Sequence, residues 1–330
     1  MKRRTFIEGL GSAAAWPMVA GAQHGAMPVI RFLAVGPNGP NRWGASFYQG
    51  LKEAGYAERQ NVAIEYRGGP PRGERLLELA RELVRRQVAV ILTSNDGPTL
   101  AAKRATSTIP IVFFNIGSDP VKLGLVASIN QPGGNVTGAS FDSPQLAAKR
   151  LDLLCQLCQL LPAAATVAYL TGGPDWLSFE EEKNHIVGAA SALGRQLIVV
   201  ECRSDDQLAT SFATLVERGA GGVIVASIPL FAGNSIDKIA ALAAWNKIPT
   251  IHSFDRYPFR GGLMSYARDG ADEIRLAAGL VGQLLKGAMP ADLPVRRSGK
   301  FHFIINNKTA KALGFTIPET MLATADEVIQ

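Results

Sequence analysis

The chain has 330 residues, 47% of them hydrophobic and 19% charged, so it carries ample apolar material for a buried core and does not read as disordered. Its 34 glycines and 19 prolines follow no repeat, which excludes collagen-like and low-complexity architectures. The net charge of +6 is partly concentrated in Lys2, Arg3 and Arg4, and short pairs such as Arg85-Arg86 and Arg296-Arg297 read as solvated surface rather than as the basic face of a nucleic-acid binder.

In chain order, the first element is a targeting signal. Arg3 and Arg4 are followed by Phe6 and Ile7, then by an uncharged, Ala- and Gly-rich stretch over residues 9–22. That stretch is shorter than the roughly 20 residues a membrane helix requires. Ala20-Gly21-Ala22 has the small-x-small form of a cleavage site, so residues 1–22 are expected to be a twin-arginine-type signal peptide. No cysteine lies near that point, so a soluble, periplasmic protein without a lipid anchor is expected.

The remaining chain alternates strands and helices. Apolar runs at residues 29–35, 62–66, 88–93, 109–116 and 136–140 read as strands. Helices are expected at 42–54, 72–86 and 98–106, with a short one at 121–128. The rhythm restarts after a long helix, 146–161, with strands at 166–170, 196–201, 222–226 and 250–252 between helices at 178–193, 205–218 and 235–246. Further on come a strand at 263–266, a helix at 270–286, a strand at 300–305 and a helix at 308–313.

Repeated strand–helix–strand units imply parallel sheets with helices on both faces. Two such blocks imply two doubly wound α/β lobes, joined by a hinge of several strands because the C-terminal part returns to earlier lobes. The expected division is 28–142 plus about 257–288 for one lobe, and 143–256 plus about 289–330 for the other.

Enzyme signatures are absent from the strand-to-helix turns, where open parallel sheets place their ligands. The turn Gly36-Pro37-Asn38-Gly39-Pro40 is no dinucleotide fingerprint, and the sequence contains no phosphate-binding loop, nucleophile elbow or H-E-x-x-H zinc motif. Cys155 and Cys158 form a C-x-x-C deep inside a helix, whereas redox pairs sit at a helix N-terminus, and no second pair completes a zinc site. No cofactor or metal is therefore expected, and the cysteines read as core residues. His252 ends a strand, where a structural or hydrogen-bonding role fits better than catalysis.

The loops are rich in polar groups instead. Ser94-Asn95-Asp96-Gly97 opens a helix whose N–H groups are placed to hold a carboxylate, or else Asn95 or Asp96 is simply its N-cap. Gly117-Ser118-Asp119-Pro120 repeats the pattern, and Trp43, Phe114, Trp176, Phe231, Phe254 and Tyr266 flank such loops. A polar and aromatic cleft without a nucleophile suits a small-molecule binder.

Several stretches carry a family resemblance. They include Gly50-Leu-Lys-Glu-Ala-Gly-Tyr56, Asn61-Val-Ala-Ile-Glu-Tyr-Arg67, Gln131-Pro-Gly-Gly-Asn-Val-Thr-Gly138, Gly261-Gly-Leu-Met-Ser-Tyr266 and Ile305-Asn-Asn-Lys-Thr-Ala-Lys-Ala-Leu-Gly314. Through them the chain resembles the substrate-binding proteins of ABC transporters, in the family whose better-known members bind aromatic amino acids. The resemblance implies a type I periplasmic-binding-protein fold that captures an amino acid or related small carboxylate and delivers it to a permease and its ATPase. A monomer that binds no nucleic acid is expected.

The family's ligand region maps onto Asn95 and Asp96, Ser118 and Asp119, and the segment from Tyr266 to Asp269. The resemblance thus points to Asp119 or Asp269 for a ligand amine, Asn95 and Ser118 for a carboxylate, and Phe254 or Tyr266 for an apolar portion. The chain departs from the family at Asp96-Gly97-Pro98-Thr99 and at Phe254-Asp255-Arg256. An exported hydrolase of a small amide or sugar is the alternative function. A cytoplasmic regulator of similar fold lacks room for a DNA-reading module before the first strand.

Overall fold

A computed structural model describes residues 27–36, 44–69, 73–141, 143–158, 166–174 and 179–330. The signal segment 1–22, Trp43 and Trp176 lie outside the described residues. The first block runs β1 (Val29–Val35), α1 (Gly44–Glu53), β2 (Ala63–Gly69), α2 (Glu74–Arg85), β3 (Val90–Ser94), α3 (Asp96–Ala105), β4 (Ile111–Phe114) and β5 (Val136–Ser140). The second runs α4 (Ser143–Cys158), β6 (Thr166–Thr171), α5 (Phe179–Ala192), β7 (Leu197–Glu201), α6 (Leu208–Glu217), β8 (Ala220–Val225), α7 (Ser235–Trp245), β9 (Thr250–His252) and β10 (Met264–Arg268). The C-terminal part holds α8 (Gly270–Leu285), β11 (Arg296–Arg297), β12 (Phe301–Asn306), α9 (Asn307–Leu313), α10 (Glu319–Thr324) and β13 (Glu327–Ile329).

The strands form two sheets. One has the order β11-β5-β4-β3-β1-β2 and the other β13-β12-β10-β9-β8-β6-β7. Neighbouring strands are parallel except β10 and β12, which run antiparallel. The first five strands of each block take the same order, second-first-third-fourth-fifth, which is the doubly wound arrangement. Helices cover both faces of the first sheet. Phe47 and Leu51 of α1 join Ile274, Ala277 and Val281 of α8 on one face, while Leu76, Leu79 and Leu83 of α2 join Ala101 and Ala102 of α3 on the other. The second sheet has one large core that includes Tyr169, Phe212, Phe231 and Tyr257.

Two segments change lobe relative to expectation. Residues 257–268 belong with the second sheet, because β10 pairs with β9 and β12 and Tyr257 fills that sheet's core. Residues 290–297 return to the first sheet, because β11 pairs with β5 and Val295 packs into that sheet's core. The chain therefore crosses between lobes after β5, after β10 and after β11. The crossings are tied to one another: Asp269 N donates to Lys300 O at 2.9 Å, and Ser298 N donates to Ser140 O at 3.0 Å.

Residues 121–128 form turns instead of the expected short helix. Leu125 N closes back onto Pro120 O at 2.8 Å, and Gly124 at φ 65° turns the chain out of helical geometry. The helix expected from Pro98 begins at Asp96, because a proline in the first turn sacrifices no intrahelical bond. The short strands β11 and β13 and the helix α10 carry too little periodicity to be read from sequence. Cys155 is buried on α4, and burial pushes its thiol up, away from a reactive thiolate.

Helices α1 and α8 approach closely at Gly50, which carries no side chain. A Cβ at Gly50 would lie 2.6 Å from Arg275 O and 2.8 Å from the Ala278 Cβ. Gly50→Ala is expected to destabilise the protein by about 1–3 kcal/mol, read as a lower midpoint in denaturant. Asp269 caps α8, accepting from Ala271 N and Asp272 N at 3.0 Å each. Asp269→Ala is expected to cost about 1 kcal/mol in the same measurement, and an unchanged midpoint would remove the cap from this account.

Candidate functional site

The C-terminal ends of both sheets face one another across a cleft of about 820 Å³. That volume lies within the range of small-molecule sites. The first lobe contributes Val35 and Gly36 at the end of β1, Gly44 to Ser46 of α1, Asn115 after β4, and Gly270, Ala271 and Ile274 of α8. The second contributes Pro229, Ala232 and Gly233 after β8, Ser253 to Arg256 after β9, and Arg268 at the end of β10. Parallel strands whose loops converge in this way are the usual ligand crevice of α/β sheets.

Of the residues expected in the site, the described lining includes Phe254. The other side chains have structural partners. Asp96, the first residue of α3, is buried and accepts from Ser118 Oγ at 2.7 Å and Gly117 N at 2.9 Å, which joins the loops after β3 and β4. Burial pushes the Asp96 carboxyl up, and the Ser118 hydroxyl and the Gly117 N–H partly offset that. Asn95 precedes α3 with φ 73° and no side-chain cap, and its Oδ1 accepts from Ser94 Oγ at 3.2 Å. Asp119 accepts from Val121 N and Lys122 N, closing its own turn. Tyr266 is half-buried and stacks on Phe301 at 5.9 Å, while Asp269 caps α8. Phe114 and Phe231 are core residues.

Other lining groups were not among the expected site residues. Asn115 stands at φ 56°, a left-handed conformation that Asn tolerates better than most residues, and its N–H donates to Glu273 Oε1 at 2.6 Å. An Asn directly after an apolar strand was the available signal. Asp255 and Arg256 are exposed into the cleft, and no side-chain hydrogen bond or ion pair holds either of them among the described residues. Their adjacent, opposite charges on a strand-end loop were visible in sequence, but nothing there showed that both face the cleft.

Arg268 spans the two lobes. It ends β10 of the second sheet, yet Nη1 lies 3.4 Å from Glu273 Oε2 of α8, which packs on the first. Its guanidinium also stands over the Phe141 ring at 3.9 Å from the centroid. Burial lowers the Arg268 pKa, opposed by the charges of Glu273 and Asp96; burial likewise raises Glu273, opposed by Arg268. At the rim, Lys122 Nζ reaches Glu181 Oε1 of α5 at 2.8 Å, a second ion pair between lobes.

A further buried cluster stands beneath the second lobe's wall of the cleft. Arg150 of α4 donates through Nε to Tyr266 O at 2.9 Å and approaches Glu182 at 3.4 Å, and Tyr169 Oη donates to Glu182 at 2.8 Å. His252 is fully buried, and desolvation with the nearby Arg150 charge lowers its pKa from 6.5 to about 3. Folding a histidine in this way disfavours its protonation. Its contribution is therefore complete above pH 6.5 and is lost as pH falls through that value toward about 3. His252→Leu is expected to flatten the acid side of the stability profile between those limits, measured by urea midpoints at several pH values. An equal slope in both proteins would contradict the shift.

Among the described residues no group of three His, Cys, Asp or Glu side chains is placed to hold a metal, and no described helix is long and apolar enough to cross a membrane. A family model described as ABC transporter substrate binding protein matches residues 41–329. The tyrosine-binding protein of Clostridioides difficile (strain R20291) is 24% identical over 273 residues, spanning 81% of this chain and 75% of that protein. A conserved domain protein of Vibrio cholerae O1 biovar El Tor superposes with a TM-score of 0.81 at 25% identity, covering 92% of this chain and 99% of that one. An ABC domain in complex with L-Trp from Streptococcus pneumoniae gives 0.78 at 23% identity over the same shares. The fold is the type I periplasmic-binding-protein fold expected from the sequence. With two lobes closing on one cleft and a family match over most of its length, the chain belongs to the ABC transporter substrate-binding proteins and is a solute-binding receptor.

Proposed function

We propose that this receptor is exported through its first 22 residues to the periplasm, captures a small amino-acid-like solute there as a monomer without a cofactor, and presents it to a permease driven by its ATPase. The observation that supports the amino-acid reading most directly is the loop Phe254-Asp255-Arg256. It offers the cleft a ring, a carboxylate and a guanidinium, and the two charged groups have no partner among the described residues. An α-amino acid presents the complementary set: an ammonium for Asp255, a carboxylate for Arg256 and a side chain for Phe254.

Asn115 and Arg268 border the same space from the two lobes, so a solute touching both is held best in the closed form. Asn95, Asp96, Ser118, Asp119 and Asp269 then shape the loops rather than touch the solute, since each has a protein partner for its side chain. Tyr266 supports the strand that ends in Arg268. The names of the tyrosine-binding relative and the L-Trp complex agree with this ligand class.

The test is a thermal-shift and calorimetric screen of the twenty amino acids against residues 23–330. An amino acid at about 100 times its dissociation constant is expected to add about 2.7 kcal/mol of stability. Arg256→Ala and Asp255→Asn are each expected to weaken that binding about tenfold, with ligand-free stability unchanged because both side chains are exposed and unpaired. A screen without any shift would overturn the amino-acid reading, and turnover of a bound compound would favour the hydrolase.

A further inference from the structure

His252 stands directly behind the solute-facing loop. It ends β9, is fully buried, and its Nδ1 accepts the backbone N–H of Phe254 at 3.2 Å. An imidazole nitrogen that accepts has no proton of its own, so the ring proton resides on Nε2. The carbonyl of Phe254 is held as well, accepting from Tyr257 N at 3.1 Å. The rings pack together: the His252 centroid lies 5.2 Å from Phe254 and 4.9 Å from Tyr257. Both backbone polar groups of Phe254 and the back of its ring are thus fixed from one side, which leaves the cleft as the open side.

An apolar residue would pack as well at this fully buried position, and a buried imidazole without good hydrogen bonds on both nitrogens is costly. Among the described residues Ser265 Oγ, directly opposite His252 in register on β10, has no hydrogen-bond partner, and His252 Nε2 meets only the Phe231 backbone, without a bond of ordinary geometry. The hydrogen bond of ordinary geometry is therefore the one on Nδ1, and it goes to the backbone of Phe254. We propose that His252 is a positioning residue of the receptor, holding the Phe254 backbone so that its ring faces the solute. The proposal rests on the placement of the solute against Phe254 given above.

Substitutions separate the two nitrogens. The side-chain oxygen of His252→Asn reaches the position of Nδ1 and preserves the acceptor, whereas His252→Gln carries its polar atoms out to the position of Nε2. In ligand-free, nitrogen-15-labelled protein, the Phe254 amide is expected to stay protected from hydrogen exchange in His252→Asn and to exchange at least about tenfold faster in His252→Gln. In binding, L-tyrosine and L-tryptophan serve as probes. His252→Gln is expected to weaken the better of the two about tenfold, and His252→Asn to restore it.

Combined with Phe254→Ala, the Gln substitution is expected to have little further effect, because a residue that acts through Phe254 has nothing left to position. Additive losses in that cycle, or equal exchange of the Phe254 amide in both His252 variants, would overturn the proposal. If the unaltered protein binds neither amino acid, the ligand reading fails, and the exchange comparison still decides whether His252 holds Phe254.

Discussion

The constraint on which the rest of the molecule depends is a charge that cannot be left alone. Arg268 is largely withdrawn from water at the point where the chain leaves the second sheet for α8. A buried guanidinium needs an opposite charge, and Glu273, one turn into α8, supplies it from the lobe that α8 packs against. Phe141, at the neighbouring crossing, covers its face, and Asp96 opposes its loss of solvation from the loop after β3. One side chain therefore registers three separate segments against one another. Because α8 and the loop after β3 belong to the first lobe and Arg268 itself to the second, the approach of the lobes and the burial of this charge go together.

The same logic explains what the polar residues at the loop tips do within the fold. Asp96 and Ser118 join two loops, Asp119 closes a turn, and Asp269 caps α8. Each satisfies backbone or hydroxyl donors that the strand ends and helix starts would otherwise leave unpaired. With those donors satisfied, the loops hold their shape without a solute. Asp255 and Arg256, on the loop that ends in the cleft, have no such partner among the described residues.

Much of the fold was legible because its signals are local. Apolar runs such as Val29–Val35 and the amphipathic spacing of Glu74–Arg85 announce their elements without reference to the rest of the chain. The region around residues 121–128 misled because its apolar spacing is helical while Gly124 takes a left-handed turn. The C-terminal segments misled for a different reason. β10 pairs with β9, the strand just before it, but β11 reaches back across the whole second block to β5, a pairing that no local pattern records.

What the sequence alone determined was the repeated strand–helix rhythm, the two α/β lobes it builds and the receptor family. The tertiary structure decided which lobe each returning segment joins and which polar side chains face the solute space. The reason is chemical. An N-cap, a loop tie and a ligand contact call for the same short side chains bearing oxygen, so Asp, Asn and Ser at a strand end carry the same local signal for all three roles. Only the donors brought within hydrogen-bonding distance by the folded chain separate an Asp269 that holds a helix from an Asp255 with no partner among the described residues.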